Sequence, residues 1–189
     1  MPSRKRQPAS NIYQIKITLR YLRPPIWRRV LVPAAMTFAD LHDVIQLTMG
    51  WDNSHLHEFT IGSRTIGMAE LQDEFDLEDE DKVTLQDVIT GEKVRFRYQY
   101  DFGDSWDHEI LLEKILPPDP TLKLPHCVKG KRACPPDDVG GVWGYANFVE
   151  ALADPNHPEH EDMVEWFGDE FDPEAFDLDA VNQALSTSR

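Results

Sequence analysis

The chain predicts an α+β protein: a mixed, mainly antiparallel sheet carrying one packed helix, followed by a helical C-terminal third. Three observations lead there. Apolar and polar residues alternate with a period of two in separate stretches, the mark of half-buried strands. One amphipathic stretch near the start has both a cap and a stop for a helix. Beyond residue 117 the alternation gives way to a proline-rich connection and then to three short helical patterns.

Taken in order, residues 1–10 are polar and read as a disordered tail. Tyr13, Ile15, Ile17, Leu19 and Tyr21 alternate with Gln14, Lys16, Thr18 and Arg20, a strand broken by Pro24 and Pro25. Ile26 to Val32 reads as a second strand, ended by Pro33. Thr37 is a good N-cap, with Asp40 at the capping-box position. Phe38, Leu41, Val44, Ile45 and Thr48 follow at helical spacing, and Gly50 is placed to stop the helix. That apolar stripe predicts a helix packed across one face of the sheet.

His55 to Ile61 predicts a third strand and Arg64 to Met68 a short fourth. Glu70 to Asp81 carries eight acids in twelve residues, which predicts a solvated loop. Thr84 to Ile89 reads as one capped helical turn. Val94, Phe96, Tyr98 and Tyr100 mark a strong strand. Asp101 to Asp104 supplies turn chemistry, and Trp106, His108, Ile110 and Leu112 mark the return. Six prolines between 117 and 136 predict a long irregular connection. Helical patterns follow at Tyr145 to Leu152, Glu159 to Phe167 and Asp177 to Leu185. The expected organisation is one domain over 11–185: sheet core 11–116, irregular loop 117–144, helical 145–185. The order of the first elements resembles a β-grasp core.

The bulk numbers exclude several classes. At 41% hydrophobic and 28% charged the composition is that of a soluble globular chain. No apolar run approaches the ~20 residues of a membrane span. The start of the chain has basic residues but no apolar core of a secretory signal, so a cytoplasmic location is expected. Net charge is −15, unevenly spread: residues 1–39 hold eight Lys/Arg and no acid, whereas 133–189 hold fourteen acids and one arginine. Such a balance opposes long contact with duplex DNA.

Several groups of residues have chemical potential. His55 and His57 lie two apart, so a strand would present both on one face, where imidazoles can ligate a metal. Asp101, Asp104, Asp107 and His108 gather around a tight turn, as an acid–base or cation site would need, although turns use Asp for conformational reasons alone. His57 and His108 should share the buried face with Phe59 and Ile110, their nearest acceptors being Asp101, Asp104 and Asp107. Asp137 and Asp138 sit between Pro135–Pro136 and Gly140–Gly141, in a loop of unusual backbone path. The candidate polar pocket is therefore His55, His57, Asp101, Asp104, His108, Asp137 and Asp138. Cys127 and Cys134 are weaker metal candidates beside His55 and His57. A cytoplasmic setting argues against their pairing as a disulfide. Arg20, Arg23, Arg28 and Arg29 are the candidate nucleic-acid residues. No nucleophile elbow, zincin or dinucleotide-binding motif is present, and no cofactor is expected.

Four motifs in one order carry a family resemblance: Ile26-Trp27-Arg28-Arg29; Trp51 through Phe59; Tyr100-Asp101-Phe102-Gly103-Asp104-Ser105-Trp106; and Pro135-Pro136-Asp137-Asp138-Val139-Gly140-Gly141. With them the chain resembles the plasmid Ri ORF-three-like family, whose members are also labelled transposon passenger proteins of TnpR type. The resemblance spans residues 11–185. It implies a compact α+β domain and no known reaction, so no catalytic residue is carried over. The expected function is an interaction or accessory domain, with a protein partner, linked to plasmids or mobile elements. The alternatives are a metal-dependent hydrolase using the His/Asp groups and a nucleic-acid binder using the basic N-terminal hairpin.

Overall fold

The computed structural model describes residues 10–72, 76–168 and 170–187. The tail expected over residues 1–10 lies, apart from Ser10, outside them. Eight strands form one sheet in the order β5-β4-β3-β6-β7-β1-β2-β8. They are β1 (Ile12–Leu19), β2 (Ile26–Pro33), β3 (His57–Ile61), β4 (Arg64–Gly67), β5 (Glu78–Asp79), β6 (Arg95–Tyr100), β7 (Trp106–Leu116) and β8 (His126–Lys131). Every pairing is antiparallel except β4 with β5. The helices are α1 (Phe38–Met49), α2 (Leu85–Val88), α3 (Gly141–Ala153), α4 (His160–Phe167) and α5 (Leu178–Thr187).

The period of two does what the alternation requires. Ile15, Ile17 and Leu19 of β1, Val30 and Val32 of β2, Phe96, Tyr98 and Tyr100 of β6, and Ile110 and Leu112 of β7 are all buried. They face one core layer. Helix α1 lies over it, with Phe38 edge-on to Phe59 at 5.1 Å and to Phe96 at 6.1 Å. Burying Phe38, Leu41 and Ile45 there contributes about 1.5–3 kcal/mol apiece. Thr37 accepts a hydrogen bond from the Asp40 N–H, and Gly50 closes the helix at φ 95°.

Six expectations are corrected. Strand β1 stops at Leu19; Tyr21 has φ 68° and is exposed, because the chain turns toward Pro24. Strand β3 begins at His57, so His55 stands in the preceding loop and shares no strand face with it. The acidic stretch is not wholly solvated: β5 pairs parallel to β4, and Asp79 and Glu80 are buried. Within the stretch expected as irregular, β8 adds to the free edge of β2, where backbone pairing needs no apolar alternation. Helix α3 starts at Gly141, before Tyr145. The β-grasp order is not reproduced either. The Asp101–Ser105 turn sends β7 back antiparallel to β6, and β7 then meets β1 antiparallel.

Candidate metal centre and adjoining cleft

Three segments distant in sequence meet at the open end of β6: the loop after α1, the β6–β7 turn, and the loop before α3. Aromatic packing and backbone hydrogen bonds hold them. Trp51 stacks on Tyr100 at 4.9 Å and donates Nε1–H to the Pro135 carbonyl at 3.0 Å. The Ser54 N–H donates to the Tyr100 hydroxyl at 3.2 Å, and the Asp101 N–H to the Leu56 carbonyl at 2.9 Å. Asp104 accepts from the Gly140 N–H at 3.0 Å.

His55 Nε2 consequently lies 3.2 Å from Asp138 Oδ1 and 3.7 Å from Asp101 Oδ2. One ligand atom from each of these residues falls within 4.8 Å of the others. Ligands about 2.1 Å from an ion stand about 3.0 Å apart at right angles and about 3.4 Å apart in a tetrahedron. The 3.2 Å between His55 and Asp138 falls between these values, and the 3.7 Å to Asp101 lies a little beyond them. Asn53, Asp101 and Asp138 all have positive φ (60°, 55° and 58°), a conformation that Asn and Asp tolerate best among side-chain-bearing residues. Asp137 lies alongside. Burial, and then the charge of Asp52, push its carboxyl above the usual range.

Two glycines permit this approach. A Cβ on Gly141 would stand 2.6 Å from the Asp104 carbonyl oxygen, and one on Gly144 would overlap the carbonyl oxygen of Val139. Neither backbone oxygen can rotate away as a side chain would. Gly144→Ala is therefore expected to cost about 1–3 kcal/mol of stability and to weaken metal binding by displacing the loop that carries Asp138. Urea unfolding and metal titration of the same variant check both; unchanged values in both would contradict the argument.

Beside the triad opens a cleft of about 510 Å³, walled by α1, the loop before β3, and Glu80. His42 and His57 stack at 3.4 Å with their planes 7° apart. Tyr98 accepts from Gln46 Nε2–H at 3.0 Å, which leaves its own O–H to donate to His42 Nδ1 at 2.8 Å. His42 then donates Nε2–H to Asn53 Oδ1 at 2.6 Å. Both its nitrogens are used. Burial, and the neighbouring His57, push the His42 pKa down to about 4. His57 Nε2 lies 2.7 Å from Glu80 Oε2, while its buried Nδ1 has no hydrogen-bond partner among the described residues.

Of the seven pocket residues expected, the structure brings His55, Asp101 and Asp138 together, with Asp137 adjacent. His57 lies in the neighbouring cleft and pairs with Glu80. His108 is sealed in the core, with Nδ1–H donated to the Trp106 carbonyl at 3.0 Å. His57 and His108 do share the buried face with Phe59 and Ile110, but the expected aspartates are not their partners: Asp107 points the other way, to Arg20 and Arg97. Asp104 caps α3. Cys127 and Cys134 are free thiols; burial raises both pKa values, and neither joins the triad.

The four arginines separate. Arg28 is buried on the inner face, Arg29 pairs with Glu113, Arg20 pairs with Asp107, and Arg23 is exposed. Sequence reasoning missed His42, Asn53 and Glu80. His42 sat within an apolar helical stripe and Glu80 within an acid run, and neither had a local signal of partnership.

Fold and site define an α+β protein on an eight-stranded sheet, with a polar cleft and a His–Asp–Asp cluster at one end. The chain belongs to the family described as Plasmid pRiA4b ORF-3-like protein, which matches residues 11–180. It is 38% identical over 179 residues to the uncharacterized protein y4hQ of Sinorhizobium fredii, covering 93% of this chain and 91% of that one. It is also similar to the crystal structure of MM3350, a protein of unknown function from Methanosarcina mazei Go1. That match has a TM-score of 0.83 and 42% identity, and covers 91% of this chain and 98% of the other. No helix among the described residues is long and apolar enough to cross a membrane.

Proposed function

We propose that the protein is a metal-dependent hydrolase whose divalent cation is held by His55, Asp101 and Asp138. The observation that supports this most is the convergence of three ligand atoms from three separate segments within 4.8 Å. One imidazole and two carboxylates suit Mn²⁺ or Zn²⁺. Three protein ligands leave a coordination position for water, whose pKa a divalent ion lowers toward neutrality.

The test is calorimetric titration of EDTA-treated protein with Mn²⁺ and Zn²⁺. One ion per chain is expected. Asp101→Asn, Asp138→Asn and His55→Ala should each lower affinity at least about tenfold. Asn keeps both positive-φ positions tolerable, so the fold should persist. Wild-type affinity in all three variants would remove the metal reading.

A second reading, an accessory interaction domain of plasmids or mobile elements such as a TnpR-type transposon passenger, is favoured by Trp143, which is 87% exposed on α3. An apolar ring of that size left in solvent suits a protein partner. If it holds, Trp143→Ser abolishes partner binding and leaves metal titration unchanged.

A further inference from the structure

We infer that the cleft beside the triad takes an organic cation, an alkylammonium or alkylguanidinium group, with Asp43, Glu80 and His57 Nδ1 as its acceptors. The inference rests on the hydrolase reading and assigns its substrate class. The walls decide the sign of the ligand. Asp43 and Glu80 line the cleft, and no lysine or arginine does among the described residues. An anion would therefore meet two carboxylates, and the charge of an ion held at the triad would already be matched by Asp101 and Asp138.

The hydrogen-bonding inventory points the same way. In the neutral ring, with Nε2–H donated to the Glu80 carboxylate, the opposite nitrogen of His57 presents a lone pair. His57 is only 3% exposed, lines the cleft, and has no partner at Nδ1 among the described residues. A buried acceptor left without a donor is costly, and a ligand rich in N–H supplies the donor. His42 cannot, since both its nitrogens are engaged by Tyr98 and Asn53.

Two further facts agree. Loss of hydration at the cleft wall, with the charges of Asp40 and Glu80, pushes the Asp43 carboxyl up, and a cation bound beside it would relieve that repulsion. The net charge of −15 concentrates cations at the surface. The volume, about 510 Å³, is ordinary for a small-molecule site. Ala39, Leu56 and Met68 add apolar wall, so an ammonium or guanidinium on a short alkyl chain matches both parts of the lining.

The experiment is calorimetry on the full chain with butylammonium and butylguanidinium, against butyrate and butyl phosphate, each with EDTA and with Mn²⁺. The cations are expected to bind and the anions not. Asp43→Asn, at an exposed position that should not affect folding, is expected to weaken cation binding about tenfold or more, as loss of one charge-assisted hydrogen bond would. Glu80→Gln should do the same. Cation binding that persists in EDTA and in His55→Ala, with no Mn²⁺ bound to wild type, would support this inference and sink the metal reading. Mn²⁺ binding without cation binding would do the reverse. Preference for the anions, or cation affinity unchanged in Asp43→Asn, overturns the assignment.

Discussion

Acidification from neutrality to about pH 4 is expected to remove several kcal/mol of folding stability, through two buried histidines. His42 and His108 both have pKa values pushed from 6.5 down to about 4, chiefly by burial. The sign follows from which state takes up protons first. Below pH 6.5 the unfolded chain protonates these imidazoles while the fold holds them neutral, so stability falls steadily until the folded pKa is reached near 4. Above 6.5 neither state carries the charge and the effect vanishes. A fall of this size is worth about 3 kcal/mol for each imidazole. The two together approach the whole stability of a typical domain, about 5–15 kcal/mol. Asp43 and Asp137, whose carboxyls are pushed up, oppose the trend by protonating more readily in the fold. Urea unfolding at a series of pH values measures the slope, and His108→Phe should remove about half of it. A stability flat between pH 6.5 and 4.5, or an equal slope in the variant, would show that these rings are not held neutral by burial.

The second large effect is expected at Arg28. The residue is 2% exposed. Nε–H donates to the Thr48 carbonyl at 2.7 Å, and Nη1 donates to the carbonyls of Trp27 at 2.9 Å and Lys131 at 3.1 Å. One side chain thus joins the end of α1 to β2 and β8, and the Phe176 ring covers it at 4.4 Å. Burial pushes its pKa down, yet a guanidinium stays charged at any working pH. Arg28→Met removes the donors and strands carbonyls that water cannot reach. The expected loss is about 3–5 kcal/mol, because each buried carbonyl left without a donor costs about 1–3 kcal/mol and no longer burying a charge offsets only part of it. Arg28→Lys should recover only part, because an ammonium cannot reproduce the planar fork. Denaturation midpoints of the three proteins decide it. A loss below about 1 kcal/mol in Arg28→Met would mean that the carbonyls find other donors.

The basic N-terminal segment shows how far sequence reading reached. Arg28 and Arg29 were legible as basic, and the strand they occupy was legible from Ile26 to Val32. Adjacent residues on a strand point to opposite faces, so one became a core anchor and the other an outer-face ion pair. No composition argument separates those fates. His55 and His57 carry a similar lesson. Alternation placed both on one face, yet the strand starts at His57. The loop backbone at Asn53 turns His55 toward Asp101 and Asp138, while His57 turns to Glu80. The pairing of His57 with Glu80 depends on β5 lying beside β4, a two-residue strand inside an acid run that local pattern could not reveal.

What the sequence by itself determined is the local and periodic part. Alternation set the inward faces of β1, β6 and β7. Thr37 and Gly50 set the limits of α1, and the turn residues after Tyr100 set the hairpin. Each follows from steric and hydrogen-bonding preferences acting over a few residues. Only the tertiary structure decided the strand order, with β7 between β6 and β1, the addition of β8 to an edge, and the meeting of His55, Asp101 and Asp138. These contacts join residues tens of positions apart. Their energy comes from packing that exists only once Trp51 stacks on Tyr100 and Gly141 meets the Asp104 carbonyl, so no window of sequence contains it.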